Sequence, residues 1–418
     1  MHFIRVPQIT WPLICIFGVI FFTAKFTGGF GLRAFGSDIY GGQKYIFLLI
    51  GVLSYFALTS RHIPLDKARF YVALFFLGET AKCIGDFFSI APSWAHFVFW
   101  FFPPNLTSFN AFDVGQTRLG GIGAAGVAVC YWLVARYGLR GILLPDKLWR
   151  PVLFAVSFAM IFLGGFRSAV FTSLAVLAVM FFMEGLHRTR LLPALALAGI
   201  MAMIVLVPLA SHLPFTFQRA LAFLPLDLST EARIDAGGSS GWRVAMWTAL
   251  MPQVPKYLLL GKGLAIRPED YNEMMGNTAL SATTGSFDPS QDPMALSYDY
   301  HNGMLSVLIP FGIWGLIAYL WFMAAGLSVL YRNWKYGNPE LRSVNTLLFA
   351  VFLFEFVSFL SCYAGLALPN GIPFMVGRLG LSIALNNGVC QPPPQPAQTR
   401  QPFNPARPFP SSRPAFQQ

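Results

Sequence analysis

Ten long apolar stretches constrain the fold of this chain more than any other feature of its sequence. Crossing the hydrocarbon core of a bilayer takes about 20 apolar residues in a helix. Only 11% of the 418 residues are charged and 55% are hydrophobic, which excludes a single-domain soluble enzyme, a disordered chain and a disulfide scaffold. The sequence therefore predicts an all-α polytopic membrane protein with about ten spans, at about 8–26, 45–60, 69–85, 119–135, 151–166, 169–184, 191–210, 302–331, 343–362 and 365–387.

Basic residues between the stretches predict how the chain is oriented. Loops rich in Arg and Lys alternate along the sequence with loops that are neutral, acidic or sparsely charged. Because basic loops stay on the cytoplasmic side, both termini are expected in the cytoplasm. The net charge of +11 then indicates anionic lipid near the helix ends rather than nucleic acid.

The spans divide the chain into four parts. Residues 1–210 hold the N-terminal spans, 211–300 form one large periplasmic loop between the seventh and eighth spans, and 301–390 hold the C-terminal spans. The Pro-rich tail, 391–418, is predicted to be disordered. The large loop has six Lys/Arg and nine Asp/Glu, and loops of this length are usually functional.

Charged residues inside spans are costly and are functional candidates by default. Glu79 and Lys82 lie three residues apart, so they either pair with each other or line a pathway. Glu355 and Arg378, in the last two spans, carry the same two alternatives. A transporter of lipid-linked or anionic solutes would use such residues, although no inverted repeat or pair of broken helices accompanies them.

Two arginines at the predicted outer ends of helices favour a different function. Arg118 precedes a glycine pair, and Arg167 follows the glycines of Gly164–Phe166 just before a span that is expected to begin near Ser168. A helix N-terminus beside a guanidinium group is suited to anion binding. The structural alternative for Arg167 is a bond to a neighbouring helix or to lipid phosphate.

The large loop carries two further candidates. Trp242 and Trp247 flank Arg243, and indoles that lie flat at the membrane interface would hold this arginine at phosphate depth. His301 is expected at the N-terminus of the eighth span, where the helix dipole disfavours imidazolium and leaves a neutral ring that can act as a base. Asp299 could orient it.

Glycines below the histidine, Gly312 and Gly315, fall with it on nearly one helical face and would let another helix pack closely. The segment from His301 to Gly315 resembles the H-[NSG]-x9-G-x-x-[GTY] signature of bacterial O-antigen ligases. It has His301-Asn302, then nine residues, Gly312, two residues and Gly315.

Three other segments resemble the same family, in the same order along residues 115–330. Arg243 and Trp247, followed by Gly261–Gly263, resemble its R…W…P…GxG segment, and the stretch around Arg167 resembles its G-S-R motif with Phe166 in place of Ser. Arg118 followed by Gly120 and Gly121 resembles an R-x-x-G element. The resemblance implies a GT-C-like fold with 10–12 spans.

The resemblance also implies a metal-independent, inverting glycosyltransferase that needs no cofactor. Its donor would be a glycan on undecaprenyl diphosphate, and its acceptor lipid A–core or a glycan. Arg118, Arg167 and Arg243 would bind the diphosphate, His301 would take the proton of the acceptor hydroxyl, and Asp299, Asn302, Gly312 and Gly315 would support them. Ligation in lipopolysaccharide assembly is the first interpretation. O-antigen or exopolysaccharide polymerisation is the alternative within the superfamily, and transport is the alternative outside it.

Overall fold

Helices dominate the structure, a computed structural model that describes residues 3–31, 41–89, 91–108, 117–144, 146–268, 272, 298, 300–361 and 368–393. Asp299 and the tail beyond residue 393 lie outside these residues, so the expectations for them stay predictions. The helices are α1 (Pro7–Phe26), α2 (Gly42–Leu58), α3 (Leu65–Leu77), α4 (Lys82–Phe88), α5 (Gly120–Tyr137), α6 (Arg140–Leu143), α7 (Trp149–Leu163), α8 (Arg167–Met183), α9 (Leu191–Leu209), α10 (Phe215–Ala220), α11 (Thr230–Leu250), α12 (Val254–Tyr257), α13 (Gly303–Tyr336), α14 (Arg342–Leu360) and α15 (Leu368–Asn386).

Several helices have the length and composition of membrane spans. Within the described ranges, four are long and apolar enough to cross a bilayer: Pro7–Phe26, Leu191–His212, Gly303–Tyr336 and Pro339–Leu360. Shorter apolar helices cover Gly42–Leu58, Trp149–Leu163, Arg167–Met183 and Gly371–Asn386. None of the residues of α9 is buried, although its sequence is almost wholly apolar. A helix that is apolar on every side and packs against so little protein is suited to a lipid environment.

Two local predictions are wrong. The stretch at 69–85 is not one helix, because a 3-10 turn at Gly78–Ala81 separates α3 from α4. The chain is also not purely helical, since β1 (Leu106–Ser108) pairs antiparallel with β2 (Thr117–Leu119), placing Thr107 opposite Arg118. The short stretch at 93–100 forms a 3-10 helix, which is too short to cross a membrane.

The helix α13 is broken where a continuous face was predicted. Pro310 supplies no amide N–H, and Gly312 leaves helical geometry with φ 65° and ψ −169°. The segment after α12 fills the break: the amides of Lys262 and Gly263 donate to the carbonyls of Ile309 and Pro310, each at 2.8 Å. His301, Gly312 and Gly315 therefore do not form one uninterrupted helical stripe.

The charges that were predicted to lie inside spans have local partners or neighbours. Glu79 and Lys82 form an ion pair with each other, and about half of each side chain is exposed. The Arg378 guanidinium donates to the carbonyl of Phe374 at 2.9 Å, and Glu355 is near enough to interact with it electrostatically. The first pair thus satisfies its own charges, which weakens the case for a transport pathway.

Polar side chains join the last three helices far from His301. Asn333 of α13 donates to the Ser382 hydroxyl of α15 at 3.0 Å, and Asn345 of α14 donates to the carbonyl of Asn333 at 3.1 Å. All three side chains are buried, and buried polar groups that are mutually satisfied hold helices in one register. The first residues of α2, α5, α8 and α13 lie at the opposite end, which we call the site end.

Candidate functional site

The helix α11 forms the backbone of the candidate site. It begins with the Ser229 side chain accepting from the amide of Ala232 at 3.3 Å, a conventional N-cap. Asp235 and Trp242 are seven residues apart on this helix. Seven residues make about two turns, or about 10.5 Å of rise, so the two side chains leave the helix on the same side. Two groups of predicted residues are arranged along that side.

The first group is a cluster of arginines around Asp235. The Arg219 Nε forms an ion pair with the Asp235 carboxylate, and the side chains are only 6% and 3% exposed. Arg118 reaches the same carboxylate oxygen from β2 at 3.9 Å. A second guanidinium nitrogen of Arg219, Nη1, donates to the carbonyl of Gly165 at 2.8 Å, two residues before α8 begins.

Arg167 completes this cluster from the start of α8. Its Nη2 donates to the carbonyl of Ala236 at 2.9 Å. Arg167 thus bonds to a neighbouring helix, which was the structural alternative to anion binding. The ring of Phe166 lies 5.5 Å from the Arg118 guanidinium carbon. Arg118, Arg167 and Arg219, which we call the arginine cluster, thus come from three separate elements and meet on α11.

Electrostatic repulsion is built into the arginine cluster. Burial lowers the pKa of Arg118 to about 10, and the neighbouring guanidinium groups of Arg219 and Arg167 add to this effect, while Asp235 opposes it. A pKa of about 10 still leaves the group charged at neutral pH. Because the three cations disfavour one another, an anion that arrives among them relieves repulsion as well as making new bonds.

A buried carboxylate that was not singled out in the sequence anchors Arg118. Asp86 of α4 accepts from the amide of Asn105 at 2.8 Å and from the amide of Ile122 at 3.0 Å. These bonds tie the start of the two-stranded ribbon to the N-terminus of α5, where a negative charge is favoured by the helix dipole. Asp86 thereby fixes the strand that carries Arg118.

The second group surrounds His301. The imidazole lies edge-on to the ring of Trp242, with centroids 5.6 Å apart and an interplanar angle of 71°. One turn further along α11, the indole Nε1 of Trp247 donates to the carbonyl of Tyr300 at 2.7 Å. The two indoles therefore face the histidine segment, and a position at the membrane interface stays a prediction for them.

The backbone holds His301 in an uncommon conformation. His301 has φ 47°, in the left-handed region, directly before Asn302, the N-cap residue of α13. The Asn302 side chain accepts from the amide of Leu305 at 3.2 Å, and the Ser306 hydroxyl accepts from the amide of Tyr300 at 3.2 Å. Such backbone strain is concentrated at functional sites and persists where surrounding contacts enforce it.

Arg243 follows Trp242 on α11 and is half-buried, so the helix itself brings it near the histidine segment. An open groove of about 400 Å³ lies alongside. Its lining is mainly apolar and comes from the last turns of α11, the residue after it, the N-cap and the first turn of α13: Val244, Trp247, Thr248, Met251, Asn302, Met304 and Leu305. Among the described residues, no group of three or more His, Cys, Asp or Glu is placed to hold a metal ion.

The structure thus brings Arg118 and Arg167 together at one point of α11 and sets His301 against the same helix two turns away. Sequence reasoning missed Arg219 and Asp235, the buried pair on which the arginine cluster is centred. The residues are 16 positions apart on different helices, and no local motif relates them.

Comparison with known protein families finds a match in the middle of the chain. A family described as O-antigen ligase matches residues 152–320, a range that contains Arg167, Arg219, Asp235, Arg243 and His301. No curated protein matches the chain. This match, which covers less than half of the chain, supports a relationship to the O-antigen ligase and polymerase superfamily.

Proposed function

We propose that the protein transfers a glycan from undecaprenyl diphosphate to an acceptor hydroxyl, most directly as an O-antigen ligase that uses lipid A–core. The observation that carries the proposal is the arrangement on α11, where Arg118 and Arg219 contact Asp235, Arg167 bonds to the next residue, and His301 packs against Trp242. A cationic centre and a basic side chain packed against one helix are the two components that the displacement of a diphosphate needs.

The arginine cluster would act on the leaving group. As the bond between the anomeric carbon and the diphosphate oxygen breaks, negative charge grows on that oxygen. Arg118, Arg167 and Arg219 can stabilise it with charge-assisted hydrogen bonds, and Arg243 can join them from the next turns of α11. Asp235 holds Arg219 in place, so it is a positioning residue rather than a ligand of an anion.

His301 would act on the acceptor. Its imidazole takes the proton of the acceptor hydroxyl while the hydroxyl oxygen forms the new bond to the anomeric carbon from the side opposite the diphosphate. The products are the glycoside with inverted configuration, undecaprenyl diphosphate and a protonated histidine, which loses its proton to water. Trp242 and Trp247 set the direction of the ring, because they fix the histidine and the residue before it.

Purified protein mixed with undecaprenyl-diphosphate glycan in a chelator tests the proposal, with lipid A–core present or absent and with His301→Ala in parallel. Transfer that requires lipid A–core and is lost in the variant supports ligation. Glycan that lengthens without lipid A–core supports polymerisation instead. Absence of glycosyl transfer in every mixture contradicts a glycosyltransferase.

A further inference from the structure

A second cationic centre lies at the site end, apart from the arginine cluster. Lys44, near the start of α2, has its Nζ 4.9 Å from the centroid of the Tyr298 ring, and Lys262 has its Nζ 6.0 Å from the same centroid. The two lysines are 218 positions apart in the chain. Two ammonium groups that share one aromatic ring are brought together by the fold and not by local sequence.

The backbone around these lysines is firmly held. The Tyr45 hydroxyl accepts from the amide of Leu264 at 2.7 Å, and Tyr298 donates its hydroxyl to the carbonyl of Ala265 at 3.1 Å. Gly263, with φ 77°, lies so close to α1 that an added Cβ would collide with the Thr27 hydroxyl. The lysine pair therefore sits on a junction of α1, α2 and the segment that fills the break in α13.

An apolar groove opens beside the same junction. It runs between α1 and α2, has a volume of about 200 Å³ and is lined almost entirely by apolar atoms. Tyr45 belongs both to this lining and to the junction, and Gly42 lines the groove two residues before Lys44. Large side chains of the lining, among them Phe17, Phe21 and Leu49, are 39–49% exposed on the outer surface of the helices.

We propose that this junction binds the acceptor as a phosphorylated lipid, with its phosphate on Lys44 and Lys262 and a hydrocarbon chain in the groove between α1 and α2. Charge complementarity selects the phosphate, since lysines bind it as point charges. The groove selects a chain, because its walls offer almost no polar atom.

The position of His301 indicates that this lipid is the acceptor and not the donor. The Tyr298 ring below the lysines lies 6.4 Å from the ring of Tyr300, which directly precedes His301. On its other side His301 contacts Trp242, on the helix that bears the arginine cluster. Ring contacts thus link the base to the elements that carry both cationic centres, as a transfer between two anionic lipids requires. This assignment rests on the proposed function.

Binding is tested without turnover. The protein and the double variant Lys44→Gln with Lys262→Gln are titrated in detergent with a short-chain phosphatidic acid and with the matched diacylglycerol. We expect the wild-type protein to prefer the phosphorylated lipid. The double variant should bind it roughly thirtyfold more weakly, at about 1 kcal/mol for each lysine. Lys25→Gln, an exposed lysine near the end of α1, is the matched control and should bind normally.

A groove variant separates a lipid site from a phosphate site. Leu49→Trp fills part of the groove and leaves both lysines in place. It should weaken binding of the phosphorylated lipid and leave the affinity for inorganic phosphate, measured by competition, unchanged. Equal lipid binding by the wild type and the double variant overturns the proposal. Displacement by inorganic phosphate alone, with no effect of Leu49→Trp, also overturns it, because the site would then hold free anion. Thermal unfolding of each variant shows whether it is folded.

Kinetics then assign the lipid. With lipid A–core and undecaprenyl-diphosphate glycan, the double lysine variant should raise the KM of the acceptor and leave the KM of the donor unchanged. A rise in the KM of the donor alone overturns the acceptor assignment. If the wild type shows no transfer but its lipid binding still depends on the lysines, the proposed function and the acceptor assignment are both overturned. An anionic lipid site then remains, so failure of the function can be distinguished from failure of the site.

Discussion

The imidazole of His301 and the indole of Trp242 meet edge to face, with centroids 5.6 Å apart. Because Trp242 lies on the helix that also carries Asp235, this contact links the candidate base to the candidate anion site through one rigid element. It is a relationship between residues 59 positions apart. Rigid elements position reacting groups more accurately than loops do.

Replacing His301 should separate catalysis from stability. His301→Ala and His301→Gly are both expected to abolish transfer, since neither provides a base. They should differ in stability, because glycine adopts the left-handed φ of 47° without penalty, whereas alanine retains a strain of about 1 kcal/mol. Transfer assays and thermal unfolding of the two variants check this, and substantial activity in either variant contradicts the role of a base.

Trp247→Phe should act on the histidine through its neighbour. The substitution keeps an aromatic ring but removes the indole N–H that donates to the Tyr300 carbonyl. A lost hydrogen bond of this type costs about 1 kcal/mol, and we expect kcat to fall roughly fivefold to tenfold by the same energy. Trp149→Phe, on α7 away from the site, is the matched control. Equal kcat values for the two variants would remove Trp247 from the positioning of His301.

Removing one charge of the Arg219–Asp235 pair should destabilise the protein more than removing both charges. Asp235→Asn leaves a buried guanidinium beside other cations and is expected to destabilise the protein by about 3–5 kcal/mol. Arg219→Met with Asp235→Leu should recover much of that stability, yet the double variant should still bind the donor poorly. A double-mutant cycle of unfolding midpoints and donor KM values measures both. Additive effects on stability would show that the pair is not coupled.

Gly312→Ala should disturb the break in α13. Its φ is 65°, and an added Cβ would lie 2.7 Å from the carbonyl oxygen of Leu259. We expect a loss of stability of about 1–3 kcal/mol and a displacement of the segment that carries Lys262. Gly199→Ala in α9 is the control, because nothing lies within 4 Å of its added Cβ. Similar unfolding temperatures for the two variants would contradict the proposed strain.

Neutralising the Glu79–Lys82 pair tests transport against transfer. The two side chains bond to each other and are about half exposed, so their pairing contributes at most about 1 kcal/mol. Glu79→Gln with Lys82→Gln is therefore expected to leave glycan transfer within twofold of the wild-type rate. Loss of transfer in this double variant, with a normal unfolding temperature, would favour a solute pathway through the helices.

The apolar stretches predicted the helices well because membrane propensity is a local property of the chain. Most of the described apolar helices begin and end within a few residues of the predicted stretches, as at Pro7–Phe26 and Leu191–Leu209. The predictions fail where a local pattern competes with contacts from elsewhere. Gly312 matches a helical repeat, but the segment containing Lys262 replaces helical bonds at that point.

The candidate site was predictable only in part. Arg118, Arg167 and His301 were singled out by their positions at helix ends, and the structure sets all three along α11. Their catalytic roles remain predictions. Asp86, Arg219 and Asp235 were missed because a buried polar residue has no periodic signature; its partners depend on which helices pack together.

The sequence by itself determined that this chain is a membrane protein with a long polar segment near its middle, because hydrophobicity over about 20 residues decides where a helix lies in a bilayer. Only the tertiary structure decided that Arg118 and Arg219 share Asp235 beside Arg167, that two indoles face the His301 segment, and that Lys44 and Lys262 share the ring of Tyr298. Those pairings are set by long-range packing, in which the free energy of one contact depends on every other contact that holds the helices in place.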